Sequence, residues 1–230
     1  WLASVPLGPA LEGIGPQCGR MAGPGSITRF EVSPLGLSCH SVDGPLAAGA
    51  DVQGISATGY LSLLALLLRL GCLDADGHFR TPASPLARRV APPPRQSRTG
   101  LRLPLPYGQW LAAADVEELL KVKAAFSQAL EALLRAAGLA ASDVACLALA
   151  GALGEHCPPA CLEELGFLPS GMGRRVRAVG NSSLDGAALL AAEPWRLPAL
   201  ARWCATATLV PVAEDPGFHA DYLRHMRFGV

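Results

Sequence analysis

Residues 147–159 read LALAGALGEHCPP, an uncharged apolar run followed by two glycines three apart, Gly151 and Gly154. A run of this kind closed by glycine reads as a buried strand, reaching back to residue 144 as VACLALA. Around it the pattern alternates. Upstream, residues 115–138 (DVEELLKVKAAFSQALEALLRAAG) place Val116, Leu119, Phe126, Leu130, Leu133 and Ala137 on one stripe at helical spacing and stop at Gly138. Downstream, PACLEELGF (159–167) predicts a short helix, RRVRAVG (174–180) a strand and SSLDGAALLAAE (182–193) a helix. ATLVPVA (207–213) then predicts a strand, and PGFHADYLRHM (216–226) a last helix. Strands alternating with helices on short connections predict an α/β fold, a mostly parallel sheet with helices packed on it.

The first third of the chain reads differently. SITRFEV (26–32) and LSCHSVDG (37–44) flank Ser33-Pro34-Leu35-Gly36, which predicts a β-hairpin. GISATG (54–59) is a glycine-rich turn feeding a helix from about Ala57 to Leu70, closed by Gly71. The stretch from His78 to Pro106 contains SPLARRVAPPPRQSRTG, with the prolines and arginines of an irregular, solvated connection. Three regions follow: a hairpin, turn and helix over 1–79, a Pro/Arg-rich connection over 80–106, and an α/β half over 107–230.

Composition bounds the function. With 230 residues, 50% hydrophobic and 17% charged, the chain can bury a substantial core. Nineteen basic against nineteen acidic side chains give no net charge, which disfavours nucleic acid and anionic lipid as partners. The longest apolar stretch, residues 60–73, is too short to span a bilayer and contains Arg69. Seven scattered cysteines, an odd number in mostly apolar contexts, read as reduced thiols of a cytoplasmic protein. The first residue, Trp1, suggests a fragment of a longer chain.

In open α/β sheets, ligands bind beyond the carboxyl ends of the strands, where backbone N–H groups and helix N-termini point. Two glycine-bearing turns fall there: Gly151 to Gly154, and Gly180-Asn181 before Ser182 and Ser183. Glycine lets a flat ligand lie against the main chain, although such turns also serve as plain turns and helix caps. Lys123 falls inside the apolar stripe, between Leu119 and Phe126, while Glu118 and Lys121 point elsewhere. It must snorkel outward or meet an anion. Metal binding is not expected: His156-Cys157 with Cys161 lacks a second ligand pair. No Walker-type phosphate loop, G-x-S-x-G or H-E-x-x-H occurs.

These segments, in their order and spacing, resemble one family. GPALEGIGPQCG (8–19), GISATG leading to GCLDADGHF, LLRAAGLAASDV, LAGALG with CLEELGFLP, and VGNSSLDGAALL are similar to the carboxy-terminal domain of the reductive activators of corrinoid proteins. The resemblance implies a partial actin-like ATPase (ribonuclease H-like) domain of the acetate kinase, sugar kinase and heat-shock chaperone superfamily. Its mixed sheet would carry packed helices and follow a β-hairpin region. Members use ATP and Mg²⁺ to drive one-electron reduction of a Co(II) corrinoid to Co(I). They typically carry a two-iron two-sulfur ferredoxin domain, which here would lie upstream of Trp1.

By that resemblance, LALAGALG is the adenosine motif, with Gly151 and Gly154 against the nucleoside and Gly180 and Asn181 as the second wall. Glu118 and Lys123 would lie on the helix that faces the ribose. The sequence departs from the family at Gly54-Ile55-Ser56-Ala57-Thr58-Gly59, where G-x-C-G-S-G is frequent, and at Leu153, commonly Phe. The Asp-x-Gly-Thr hairpins that grip phosphate and magnesium would also lie upstream. The 230 residues alone are therefore expected to hydrolyse ATP poorly. A sheet edge left open by missing strands would favour a homodimer. The expected partner is a corrinoid protein or corrinoid-dependent methyltransferase system. The alternative is a partner-docking module that keeps the fold without using nucleotide.

Overall fold

The computed structural model describes residues 1–5 and 14–229, without the side chain of Ala152; residues 8–13 of the GPALEGIGPQCG segment lie outside the described residues. The core is built around α1 (Ala57–Arg69), in which every residue from Gly59 to Leu67 is buried. That explains an apolar run without a polar face: a helix hydrophobic all round belongs inside. Ser56 starts it, its Oγ accepting from the Gly59 N–H at 3.2 Å. Gly71, at φ +64°, turns the chain away after its last residue.

Strands that precede α1 in the chain pack against it. β1 (Ser26–Ile27) will pair with a later strand, while β2 (Arg29–Ser33), β3 (Gly36–Ser41) and β4 (Gly44–Pro45) form an antiparallel meander. The predicted hairpin is present, with Ser33 opposite Gly36 and Phe30 opposite Cys39. Phe30 and Cys39 are both buried, which fixes the face turned to the core. β5 (Gly54–Ile55) runs parallel to β1.

The 80–106 segment corrects the expected irregular connection. It contains α2 (Pro85–Val90) and two strands, β6 (Arg95–Ser97) and β7 (Gly100–Pro104). β7 pairs antiparallel with both β6 and β8 (Trp110–Ala112). Pro85 sits in the first turn of α2, where its missing N–H costs nothing, and Ser84 caps that helix through the Ala87 N–H at 3.0 Å.

α3 (Ala113–Ala137) is the long helix, closed by Gly138 at φ +66°. Its start is pinned by the buried Asp115, which accepts from the backbone N–H of Gln17 at 2.9 Å and of Ala112 at 3.0 Å. Burial pushes the Asp115 carboxyl up, against the pull of those two N–H groups. Asp115→Asn keeps the shape but exchanges one accepting oxygen for a donor, so it is expected to cost about 1–2 kcal/mol, read from urea unfolding midpoints. An unchanged midpoint would show the bonds to be dispensable.

The remaining elements are β9 (Leu147–Leu149), α4 (Ala152–His156), α5 (Pro159–Glu164), β10 (Val176–Ala178), α6 (Ser182–Ala192), α7 (Leu197–Cys204) and α8 (Phe218–His225). β9 and β10 pair in parallel, Leu147 opposite Val176. The strand expected over 207–213 does not form. Leu209 makes an isolated parallel bridge to Leu2, and Val212–Glu214 is a 3-10 turn. Pro211 has no N–H to give a ladder, so the segment stops after one bridge. Instead of one mostly parallel sheet, the described residues hold two parallel pairs and two antiparallel three-stranded sheets.

Candidate functional site

Two turns meet at the carboxyl ends of β9 and β10. The Val179 N–H donates to the Leu149 carbonyl at 3.0 Å, and the Gly151 N–H donates to the Gly180 carbonyl at 2.7 Å. The parallel ladder is thus carried one step past the strands, and it holds Gly151 beside Gly180. Both have positive φ, +85° and +63°, so a side chain at either would be strained. Both also face space: a Cβ on either would meet nothing within 4 Å. Asn181 caps α6, its Oδ1 accepting from the Leu184 N–H at 3.1 Å.

Gly154 has a different reason to be glycine. A Cβ there would lie 2.6 Å from Leu149 Cβ and 2.9 Å from the Leu149 carbonyl carbon and oxygen. Its missing side chain lets α4 fold back onto β9, a packing demand that stands apart from any ligand.

The α3 residues are held elsewhere. Glu118 is exposed and ion-paired to Lys121 at 2.9 Å. Lys123 does not snorkel. It is fully buried, and its Nζ donates to the His225 carbonyl at 3.1 Å, which ties α3 to α8. Burial, with the Arg224 charge nearby, lowers its ammonium to about 8. Next to it, Glu131 accepts from Arg224 at 2.9 Å and lies 2.8 Å from His225 Nε2. The described contacts of Glu118 and Lys123 do not join them to the glycine turns.

A cleft of about 450 Å³ opens beside this joint, lined by Gln128, Glu131, Arg135, Val212, Glu214 and Asp215 among others. Its carboxylates outnumber its one guanidinium, so it repels rather than collects phosphate. Among the described residues, Asp74, Asp76 and His78 bring ligand atoms within 4.8 Å of one another. Asp74, however, is committed to the loop itself, accepting from the N–H groups of Asp76 and His78 and pairing with Arg80 at 2.6 Å. Burial pushes the Cys157 thiol up to about 12, which keeps it protonated at neutral pH.

The domain family described as the C-terminal domain of RACo, the ASKHA domain, matches residues 1–229. The chain belongs to this family. Two curated relatives are similar to this ASKHA domain over most of its length. The corrinoid activation enzyme RamQ of Eubacterium limosum is 27% identical over 238 residues, covering 100% of the chain and 39% of that protein. The [Co(II) methylated amine-specific corrinoid protein] reductase of Methanosarcina barkeri is 27% identical over 214 residues, covering 85% of the chain and 36% of that protein. A solved structure, a reductive activator for corrinoid, iron-sulfur protein, superposes with a TM-score of 0.83 at 24% identity. It covers 99% of the chain and 36% of the solved one. This ASKHA domain therefore spans less than two fifths of each of these proteins, and the actin-like class of fold expected from its sequence is the one it has.

Sequence reading missed part of what positions this ASKHA domain's helices. The Glu131–Arg135 spacing of four residues signals an ion pair along α3, and the pair is there at 3.3 Å. Nothing local announces that Arg224 and His225, more than ninety residues on, complete the cluster.

Proposed function

We propose that this chain is the carboxy-terminal part of an ATP-dependent reductive activator, which drives one-electron reduction of Co(II) to Co(I) in a corrinoid protein or corrinoid-dependent methyltransferase system. The observation that carries the reading is the pair of glycine turns held together by the Gly151–Gly180 hydrogen bond, with open space before both. In this reading a side chain at either glycine would project where the nucleoside is to lie. Gly151 forms one wall and Gly180 with Asn181 the other; Gly154 supports the first by seating α4 on β9. Glu118 and Lys123 enter as ribose-side residues through the family resemblance alone.

ATP, with Mg²⁺, supplies the free energy for an electron transfer that is otherwise uphill. This chain's residues orient the nucleoside end, and the phosphate and Mg²⁺ contacts belong to hairpins outside these 230 residues. The described cysteines gather no four-thiolate set, and an iron–sulfur cluster is likewise assigned outside them. The setting is cytoplasmic, and no described helix is long and apolar enough to cross a membrane.

Calorimetric titration of ATP with Mg²⁺ into the longest polypeptide containing this chain tests the reading. Gly180→Asn is the informative variant, because asparagine tolerates the left-handed region while filling the open space. Binding is expected to weaken at least about tenfold with little change in melting temperature, since the lost contact is with ligand and not with core. The 230 residues alone are expected to show no Mg²⁺-stimulated hydrolysis. Equal affinity in wild type and Gly180→Asn, or no binding by a folded wild type, would instead favour the docking module. Gly154 and Asn181, already accounted for by packing and capping, are what that second reading would keep.

A further inference from the structure

Between Gly173 and Pro211 no residue with a described side chain is buried, although the segment includes β10, α6 and α7. Its apolar side chains stand in the open: Trp195 is 72% exposed, Trp203 73% and Leu184 63%, with Leu189, Leu197 and Leu209 also exposed. Two helices of 11 and 8 residues with no buried side chain lack the tertiary packing that gives most helices their stability. β9 and β10, which precede these helices in the chain, form a parallel pair of three residues each, with no further strand paired to either among the described residues. Parallel sheets are normally covered on both faces and rarely stand as isolated pairs. Open strand edges and two bare apolar helices within one segment of the chain have the character of a cut through a domain.

We infer that the exposed apolar side chains of α6, α7 and Leu209 belong to an internal interface, covered by the part of the same polypeptide that lies outside these 230 residues. The inference rests on reading the chain as one part of a longer activator, and it names the surface on which the parts meet. More than half of each matched relative lies outside the aligned region, enough chain to supply the missing strands and cover. Charge points the same way. From Val179 to Val210 the charged residues are Asp185, Glu193, Arg196 and Arg202, which cancel, and Glu193 pairs with Arg196 within the segment. A surface of large apolar side chains without net charge suits permanent burial better than steering a charged partner.

The test uses the full-length polypeptide with Leu184→Glu and Trp203→Glu, and Leu35→Glu at the 95%-exposed tip of the hairpin as control. Two readouts are taken: melting temperature, and the alkylation rate of Cys204, an exposed thiol on α7. Burial of the face predicts that Cys204 in the wild type reacts at least about tenfold more slowly than a free thiol, because α7 must open first. Both face variants should melt about 5 °C or more lower and release that protection, while the control does neither. Fast alkylation in the wild type, or face variants that melt like the control, would overturn the inference. A full-length dimer that Trp203→Glu converts into an equally stable monomer would overturn it in favour of a second copy. ATP titration of the same proteins separates this failure from failure of the nucleotide reading, which concerns Gly151 and Gly180.

Discussion

Gly59→Ala is expected to lower the stability of this domain by about 2–3 kcal/mol, near the upper end of what overpacking costs. A Cβ at Gly59 would lie 2.4 Å from the Ile27 carbonyl oxygen and 2.9 Å from Ile55 Cγ2. That carbonyl accepts the Ser56 N–H at 2.9 Å, so the intruding methyl strikes the bond that joins β1 to the start of α1. Alanine would regain about 1 kcal/mol of helix propensity, too little to offset moving a strand backbone. The melting temperature should fall by about 5–10 °C for a domain of this size. Gly186→Ala in α6, where a Cβ meets nothing within 4 Å, should do the reverse and be neutral or stabilising. Equal melting temperatures for the two variants would refute the close approach of α1 to β1.

The second large effect is a pH dependence traceable to Lys123. Its ammonium titrates at about 8 in the folded protein, against about 10.4 in an unfolded chain. Between those values the unfolded state binds more protons, so this group makes stability rise with pH across that window. Below it, keeping the charge buried costs on the order of 3 kcal/mol. Cys39 and Cys157 act in the opposite sense. Burial pushes both thiols up to about 12, so their contribution is full below about 8.5, the unfolded value, and is lost as pH rises beyond it. The raw profile mixes these slopes, and comparison with Lys123→Met separates them. From pH 8 to 10.5 the wild type should gain on the order of 3 kcal/mol relative to the methionine variant, by denaturant unfolding at each pH. A flat difference would mean that Lys123 keeps its proton in the folded state to ordinary values.

The legible parts of the fold were those with local signals. Gly71 and Gly138 end α1 and α3 because both adopt the left-handed region that stops a helix, and both could be seen in the sequence. The turn at Ser33-Pro34-Leu35-Gly36 was equally local. β6 and β7 were not legible, since RQS and GLRLP have little β-branched content and their pairing is settled by β8. Residues 207–213 misled in the other direction: Leu209 and Val210 look like strand, but Pro211 interrupts the donors. At the candidate site, the inward position of Lys123 followed from the helical wheel, whereas its acceptor, His225, lies 102 residues away. That Gly154 must also let α4 return onto Leu149 had no local signal, because that approach is a tertiary fact.

The spacing of paired residues along the chain also bears on the order of assembly. Hairpin partners such as Phe30 and Cys39 are neighbours along the chain, and α1 and α3 are local throughout. Leu147 and Val176, by contrast, must close a loop that contains α4 and α5 before their first bond forms. Loop closure costs entropy before contacts repay it, so β9 and β10, and the Gly151–Gly180 bond with them, are expected to join after the hairpin. Changes at these turns therefore act mainly on how fast the native state opens, and hardly on how fast it forms. By that route the two glycine turns bear more on how long the native state lasts than on how it is reached.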